Sequence, residues 1–318
     1  MNYLVVFLLA FIITILLTPF VKLFAIKFSF YDYHNDRKIH QTPKPKLGGC
    51  AIFVGFVLST LCIISLNISI FKSILPLFIP LMICGGIILC LGIYDDIEGS
   101  GAFIKLSIQI IAASIFYNFG FQFSHFSIPS FINIPMDNLS FPLTLLWLVG
   151  ITNAFNLIDG IDGLASSLAI IASICLFVLG LYFNDTFLIL MSLALIGSNL
   201  AFLKYNLYPS KIFMGDAGSL FLGFTLGSLA LYSPRASSDK NPLFFFVALT
   251  LFIPLLDAFY AIIRRILKKK NIFQGDKEHI HHILLKKGFS QSQVTLTLSC
   301  FSSLIMALSL ILILFVIK

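Results

Sequence analysis

The sequence predicts an all-α fold, a polytopic bundle of transmembrane helices with about ten spans. The first observation behind this prediction is composition, since 58% of the 318 residues are hydrophobic and 11% are charged, with a mean hydropathy of +1.00. Soluble globular proteins do not reach such values. The second is that the apolar residues form runs long enough to cross about 30 Å of hydrocarbon. The third is an uneven distribution of basic residues between the two sides of the membrane.

The predicted spans follow one another closely, so we expect a single integral-membrane domain over residues 1–318. In chain order the spans are 2–26, 47–66, 74–94, 102–120, 142–158, 164–183, 185–203, 217–233, 242–263 and 293–317. The first run has no charged residue ahead of its apolar core and no small-residue cleavage site. It is therefore predicted to be the first helix rather than a signal peptide.

The basic residues predict the orientation. If the N-terminus lies outside, all but four of the 21 Lys and Arg residues fall in the cytoplasm. Because positive residues are enriched in cytoplasmic loops, we expect a multi-pass protein of the cell membrane with its basic loops in the cytoplasm. The net charge of +7 then reflects membrane orientation, and no nucleic-acid partner is expected.

The first basic loop, residues 31–49, contains prolines and glycines that prevent a regular helix before the second span. Lys38, His40, Lys44 and Lys46 are spaced along it. Two interpretations stay open. Either the loop touches anionic lipid head groups, or it forms a compact cationic rim that binds phosphate.

The third span ends in two adjacent carboxylates, Asp95 and Asp96. Adjacent like charges raise each other's pKa unless a cation lies between them. The pair is predicted to be part of a functional site, with a solvated helix end as the alternative. Lys105 begins the next span within reach of the same face.

The most polar stretch at membrane depth joins the fifth and sixth predicted spans. Asn153, Asn156, Asp159 and Asp162 recur there at every third position. On a continuous helix they would share one ridge, although the glycines beside the two acids are expected to open the backbone. Polar groups are costly at the edge of the hydrocarbon, so by default they mark a site.

Asp216 lies between two glycines and is followed by Ser219 at the predicted start of the eighth span. Backbone N–H groups at a helix start favour an anion, whereas the carboxylate favours a cation. Together they suit a phosphate that carries a metal ion. The alternative, that Asp216 caps the helix, does not exclude this role.

The ninth span contains a lone Asp257, which is predicted to be a buried partner between helices rather than a catalytic group. The loop that follows contains His279, His281 and His282 among basic residues. Zinc is one ligand that histidines suggest. However, the loop has no Cys and its basic neighbours disfavour a cation, so we predict that it binds polyphosphate.

In this topology, acids from three distant parts of the sequence reach the cytoplasmic face. They are Asp95, Asp96, Asp159, Asp162 and Asp216. These carboxylates would repel one another without a metal ion, and an oxygen-rich site without Cys favours Mg²⁺, with Mn²⁺ as a substitute. Carboxylates, metal ion and basic loops together predict phosphoryl transfer at a membrane surface, where one substrate can be a lipid.

Six blocks of residues carry a resemblance to a known family. They are Arg37-Lys-Ile-His40 with Pro45-Lys-Leu-Gly-Gly49; Asp95-Asp96; Asn153-Ala-Phe-Asn-Leu-Ile-Asp-Gly-Ile-Asp-Gly-Leu164; Phe213-Met-Gly-Asp-Ala-Gly-Ser219; Pro254-Leu-Leu-Asp257 with Arg264-Arg265; and His279-Ile-His-His282. In this order they resemble the polyprenyl-phosphate N-acetylhexosamine-1-phosphate transferases of glycosyltransferase family 4. Gly99 and Ile283 stand where the MraY branch of that family usually has Lys and Glu, so the chain is more similar to the WecA/TagO branch.

The resemblance implies transfer of N-acetylglucosamine 1-phosphate from a UDP-sugar to undecaprenyl phosphate, with release of UMP and the start of a cell-envelope glycan. It also implies a Mg²⁺ cofactor and suggests a homodimer. Combined with the reading of the loops, it assigns catalysis to Asp95, Asp96, Asp159 and Asp162, metal binding to Asp216 and Asn156, and substrate binding to Lys38, His40, Lys46, Asn153, Asn156, Phe213, His279, His281 and His282. Phe213 is expected to pack on the uracil ring.

There are three alternatives. In the first, the reaction is the same but the donor is another UDP-N-acetylhexosamine or, as in the MraY branch, UDP-MurNAc-pentapeptide. A transporter or flippase would instead place its polar groups near the bilayer midplane, in broken helices of related halves. A CDP-alcohol phosphotransferase also uses Asp-Gly-rich magnesium sites, but its compact Asp-Gly-Ala-Arg run is absent, since Ser166 follows Ala165.

Overall fold

The structure is a computed structural model that describes residues 3–32, 43–66, 68–123, 125–128, 132–233, 243–269 and 278–316. Lys38 and His40, both predicted to bind substrate, lie outside the described residues. Within these ranges the helices are α1 (Leu4–Lys27), α2 (Gly48–Ser65), α3 (Ile68–Glu98), α4 (Ala102–Asn118), α5 (Ser140–Ile158), α6 (Leu164–Tyr182), α7 (Thr186–Asn206), α8 (Gly215–Tyr232), α9 (Leu243–Thr250), α10 (Phe252–Leu267), α11 (Ile280–Lys286) and α12 (Gln291–Val316). The described chain also has two antiparallel strand pairs, β1 (Tyr31–Asp32) with β2 (Lys44–Pro45) and β3 (His125–Ile128) with β4 (Ile132–Pro135), and a 3-10 turn at Asp137–Leu139.

The predicted all-α membrane fold is confirmed, but the predicted number of spans is too high. Seven of the described helices are long and apolar enough to cross a membrane, or eight spans if the bent pair α9 and α10 counts as one. Two predicted spans are not among these helices. The predicted span 102–120 corresponds to α4, which has 17 residues, and the predicted span 217–233 corresponds to α8, whose apolar character is reduced by Asp216 and four glycines. A helix surrounded by protein does not have to be as apolar as one that faces lipid.

Helix α8 lies at the centre of the bundle. Every residue from 217 to 232 is buried, and the helix packs against α2, α3 and α5. Glycines allow these contacts, because a Cβ on Gly223 would lie 2.8 Å from the Ile151 carbonyl oxygen, and one on Gly49 would lie 2.1 Å from the Gly218 nitrogen. Small residues let helix backbones approach closely in membrane proteins. The start of α8 is thereby fixed against α2.

We expect Gly49→Ala to destabilise the bundle by about 1–3 kcal/mol, because the added methyl group meets rigid backbone rather than a flexible side chain. The measurement is the fraction of monodisperse protein that survives graded heating in detergent. Gly86→Ala is the matched control, since a Cβ at that helical glycine meets no heavy atom within 4 Å. Equal survival of the two variants would contradict the close approach of α2 and α8.

The ninth predicted span, 242–263, is broken between α9 and α10, whose axes differ by 76°. Pro254 favours the break, because it has no N–H to donate to the carbonyl group of Thr250. Helix α10 is amphipathic, and one face buries Asp257 and Arg264. The other face exposes Leu256, Phe259, Ile263, Ile266 and Leu267. This two-faced pattern is typical of a helix at a membrane interface.

Candidate active site

The chain segment ahead of α8 forms one side of the candidate site. Its backbone pairs with the end of β2 and the start of α2. Phe213 N donates to Pro45 O at 2.9 Å, and Gly49 N donates to Met214 O at 2.8 Å. These bonds bring Lys46 of the first basic loop close to the start of α8, with its Nζ 3.8 Å from Asp96 Oδ1. Phe213 is half-buried, and its contact with uracil stays a prediction.

Asp96 holds the first turn of α8 from the end of α3. Its Oδ1 accepts a hydrogen bond from the Asp216 nitrogen and its Oδ2 from the Ala217 nitrogen, each at 3.1 Å. Carboxylates at helix N-termini are stabilised by the unpaired N–H groups there. Gly215 has φ +74°, and a Cβ on it would lie 2.3 Å from Asp96 Oδ2, so only glycine fits. Asp96 rather than Asp216 therefore caps α8.

Lys105 of α4 joins two of the predicted acids. Its Nζ lies 2.6 Å from Asp95 Oδ2 and 2.6 Å from Asp216 Oδ2. On its other oxygen, Asp95 accepts hydrogen bonds from Ser100 N at 2.6 Å and from Ser100 Oγ at 2.5 Å. The Lys105 ammonium group lies between the two carboxylates, and its positive charge offsets their repulsion. From the sequence, no site role was predicted for Lys105. Its position shortly after the acidic pair was the feature that could have indicated one.

Lys46 adds a second cation. Its Nζ lies 3.2 Å from Asp32 Oδ1 and 3.8 Å from Asp96 Oδ1. Burial lowers the pKa of Lys46, but the charges of Asp96 and Asp32 outweigh burial and raise the pKa above its ordinary value. Lys46 therefore stays protonated at neutral pH and places positive charge beside the start of α8.

Helix α5 supplies two amides. Asn156 Nδ2 donates to Ser219 Oγ at 3.1 Å, which places Asn156 one turn along α8 from Asp216. Asn153 Nδ2 donates to Gln109 Oε1 at 2.5 Å, and Gln109 Nε2 donates back at 3.3 Å. The Asn153 amide thus joins α5 to α4, and its role in substrate binding stays a prediction.

The acids after α5 lie in a turn, not on a helical ridge. The helix ends at Ile158, and the following loop turns through Gly163 with φ +76°, as expected from the glycines. Asp159 follows the helix directly and is half-buried. Asp162 Oδ2 accepts a hydrogen bond from Ser210 N at 2.9 Å. Asp162 therefore fixes the loop between α7 and α8, and its catalytic role stays a prediction.

The structure brings the predicted acids together. Burial raises the pKa of Asp159 well above its ordinary value, and the charges of Asp216, Asp96 and Asp162 add to the effect. Carboxylates influence one another in this way only when they are close. We call the five acids the acidic cluster: Asp95, Asp96, Asp159, Asp162 and Asp216.

The histidines lie beside the turn after α5. His281 is 1% exposed, and a Cβ on Gly160 would lie 2.2 Å from its Nε2. The rings of His279 and His281 are parallel within 5°, with centroids 5.8 Å apart, and the His282 centroid lies 4.4 Å from that of His281. Within the described ranges, neither ring nitrogen of His281 has a hydrogen-bond partner. The structure thus places the histidine segment, residues 279–282, against the turn that carries Asp159 and Asp162.

Burial lowers the pKa of His281 to about 3, and the neighbouring His282 contributes. An imidazole in the unfolded chain titrates near pH 6.5. Below that pH the unfolded chain therefore binds a proton at His281, whereas the folded chain does not. Stability therefore falls as the pH drops from about 6.5 towards 3, by at most about 1.4 kcal/mol per pH unit.

We expect the melting temperature of His281→Gln to fall less between about pH 7.5 and 5.5 than that of the wild type. His282→Gln is the control, and parallel curves for His281→Gln and wild type would contradict the prediction.

The acidic cluster suits a hard divalent cation. Its donor atoms are oxygens. The ammonium group of Lys46 lies beside Asp96, and that of Lys105 lies beside Asp95 and Asp216. In the described part of the chain, no three His, Cys, Asp or Glu side chains are placed to ligate one ion. Mg²⁺ is often held by one or two carboxylates and completes its shell with water and substrate phosphates. Asp216 with the nearby Asn156 fits that arrangement.

Comparison with known proteins extends over most of the chain. Residues 78–234 match the sequence model of glycosyl transferase family 4. The chain is 37% identical over 298 residues to the probable undecaprenyl-phosphate N-acetylglucosaminyl 1-phosphate transferase of Bacillus subtilis, covering 92% of this chain and 80% of the relative. It is 34% identical to the decaprenyl-phosphate N-acetylglucosaminephosphotransferase of Mycobacterium leprae, covering 90% and 77%. It is 27% identical to the undecaprenyl-phosphate alpha-N-acetylglucosaminyl 1-phosphate transferase of Escherichia coli, covering 95% and 81%.

Proposed function

The chain belongs to glycosyl transferase family 4, and from this premise we propose that it transfers N-acetylglucosamine 1-phosphate from UDP-N-acetylglucosamine to a polyprenyl phosphate. Undecaprenyl phosphate is the expected acceptor, UMP is the second product, and the lipid diphosphate starts a cell-envelope glycan. The names of the Bacillus subtilis and Escherichia coli relatives support both donor and acceptor. The positive-inside bias supports a cytoplasmic site in the cell membrane.

One observation carries the proposal beyond family membership. Lys105 Nζ lies 2.6 Å from carboxylate oxygens of both Asp95 and Asp216, three residues that come from α3, α4 and α8. A site for two phosphorylated substrates needs acids that hold a metal ion next to cations that bind phosphate. Here both kinds of group meet within one cluster.

In the proposed reaction, an oxygen of the acceptor phosphate attacks the β-phosphorus of the UDP-sugar. A new P–O bond forms, the bond from the β-phosphorus to the bridging oxygen breaks, and UMP leaves with the electron pair. A phosphate monoester with a second pKa near 6 is mostly dianionic at pH 7, so a base is not strictly required. Asp95 is the candidate base for an acceptor that arrives protonated.

The protein groups act mainly by position and charge. Lys46 and Lys105 bind phosphate oxygens, and the histidine segment beside Gly160 binds the diphosphate and sugar of the donor. Asp216 and Asn156 would hold Mg²⁺, or Mn²⁺ in its place. When bound, the ion supplies charge neutralisation for the diphosphate and for the departing UMP.

The proposal is tested with purified protein, UDP-N-acetylglucosamine, undecaprenyl phosphate and Mg²⁺. We expect UMP and a lipid-diphosphate-linked sugar in equal amounts, with neither formed when the acceptor lipid is left out. Release of UMP without lipid product, or no turnover at all, would refute the proposed reaction. A sugar-phosphate adduct trapped on any acid of the cluster would refute single displacement.

The donor is tested by replacing UDP-N-acetylglucosamine with other UDP-N-acetylhexosamines and with UDP-MurNAc-pentapeptide. We expect the highest kcat/KM with UDP-N-acetylglucosamine. A higher value with the pentapeptide would move the chain to the MraY type of reaction and leave the phosphoryl chemistry in place.

A further inference from the structure

Asp257 is a buried acid outside the acidic cluster. It lies in α10, is 3% exposed, and uses both carboxylate oxygens. Oδ2 lies 2.8 Å from His279 Nδ1, and Oδ1 accepts a hydrogen bond from the Ile280 nitrogen at 2.7 Å. The prediction of a buried partner between helices is thereby confirmed, and the partner is the start of α11.

These two bonds determine how His279 is held. An ionised carboxylate can only accept hydrogen bonds, so an ionised Asp257 selects the form of His279 in which Nδ1 donates to it. In the neutral ring, Nε2 is then the acceptor nitrogen. The bond to Ile280 N fixes the first N–H group of α11 at the same time. Asp257 therefore sets both the tautomer and the direction of the His279 ring.

The orientation passes along the histidine segment to the site. The His279 ring lies parallel to the His281 ring at 5.8 Å, and His281 lies against Gly160, next to Asp159 of the acidic cluster. A row of imidazoles thus begins at Asp257 and ends at the turn after α5, which carries Asp159 and Asp162.

Arg264 of α10 and Lys268 at its end contact Glu278, which directly precedes the histidine segment. Arg264 donates to the Glu278 carbonyl oxygen at 2.7 Å, and its Nε lies 3.1 Å from Glu278 Oε2. Lys268 Nζ lies 2.6 Å from Glu278 Oε1. Both partners of the Lys268 pair are largely exposed, and such pairs contribute little to stability. Lys268 therefore offers a matched control for Asp257.

We propose that Asp257 is a positioning residue, which fixes the Nδ1-protonated tautomer and the ring direction of His279 so that the histidine segment binds the diphosphate and sugar of the nucleotide donor. This inference rests on the proposed function. It follows the general pattern in which a carboxylate behind a histidine orients the nitrogen that meets the ligand.

The first measurement does not depend on turnover. Nitrogen-15 spectra of histidine-labelled protein in nanodiscs, with His279 assigned by the loss of its signals in His279→Gln, should show a proton on Nδ1 in the wild type. In Asp257→Asn, whose amide can donate to Nδ1, we expect the proton on Nε2. A wild-type ring protonated on Nε2, or an unchanged tautomer in Asp257→Asn, would overturn the proposal.

The second measurement is the dissociation constant of UDP-N-acetylglucosamine with Mg²⁺, by equilibrium dialysis without acceptor lipid. We expect Asp257→Asn to weaken binding roughly tenfold or more, Asp257→Glu to recover part of the loss, and Lys268→Met to bind as the wild type does. Equal losses in Asp257→Asn and Lys268→Met would show a merely structural role.

A double-mutant cycle decides whether Asp257 acts through His279. We expect Asp257→Asn to change binding little in a His279→Gln background, and independent, multiplying effects would overturn the proposal. If the tautomer and the cycle behave as expected but no sugar phosphate is transferred to lipid, the proposed reaction fails and the positioning of His279 stands. If Asp257→Asn is not monodisperse, the wild-type protein and Asp257→Glu test the proposal instead. We then expect a proton on Nδ1 in both and weaker donor binding in Asp257→Glu than in the wild type, and a proton on Nε2 in either protein would overturn the proposal.

Discussion

Replacing Asp216 by Asn is expected to lower the rate of UMP release by roughly a thousandfold, the upper end of the loss when one preorganised electrostatic group is removed from an active site. The substitution removes the negative charge that is proposed to hold Mg²⁺. It keeps the backbone N–H that donates to Asp96 Oδ1 at 3.1 Å, so the start of α8 is retained. The measurement is the initial rate of UMP release over a range of Mg²⁺ concentrations.

Asp137→Asn is the control for this variant, since Asp137 is an exposed acid. It precedes the start of α5, whereas Asp159 of the acidic cluster follows the end of that helix. It should keep the wild-type rate. An Asp216→Asn enzyme with the wild-type rate and the wild-type response to Mg²⁺ would remove Asp216 from the metal site and with it the proposed arrangement.

Asp95→Asn is expected to reduce kcat by at least about a hundredfold while donor binding stays within about twofold of the wild type. The amide keeps an oxygen for the bonds from Ser100 at 2.6 and 2.5 Å. It loses the charge that faces Lys105 at 2.6 Å and the ability to accept a proton from the acceptor phosphate. Single-turnover rates and the dissociation constant of UDP-N-acetylglucosamine measure the two effects separately.

Ser100→Ala is the matched comparison, because it removes a hydrogen bond to Asp95 and leaves the charge. We expect only a severalfold decrease in kcat. If Asp95→Asn weakens donor binding as much as it slows turnover, Asp95 binds the donor rather than acting on the acceptor. An unchanged kcat would remove it from the reaction.

Much of the site was predictable because its residues are polar in an apolar chain. Charged groups next to hydrocarbon are costly and are retained where they have partners, so Asp95, Asp96 and Asp216 stood out from their positions at the ends of apolar runs. Lys105 did not, because one Lys at a span end is also what the positive-inside bias produces. Only the 2.6 Å contacts to two acids distinguish it.

The number of described helices that are long and apolar enough to count as spans is below the predicted ten for a related reason. Hydropathy measures whether a segment tolerates lipid, but the position of a helix in a bundle is decided by its neighbours. Helix α8 is buried along its length by other helices, and the apolar run 242–263 bends by 76° between α9 and α10. Pro254 was the available signal for that break.

The sequence by itself determined the class of the protein and the residue types of its chemistry, because these follow from transfer free energies and from motifs that are local in the chain. The orientation of the basic loops stays a prediction. Only the tertiary structure decided which groups meet. Asp96 caps α8, Lys105 lies between Asp95 and Asp216, and Asp257 binds His279. Such pairings depend on how helices distant in sequence pack, and side-chain contacts at 2.6 to 3.1 Å are set by that packing rather than by any local pattern.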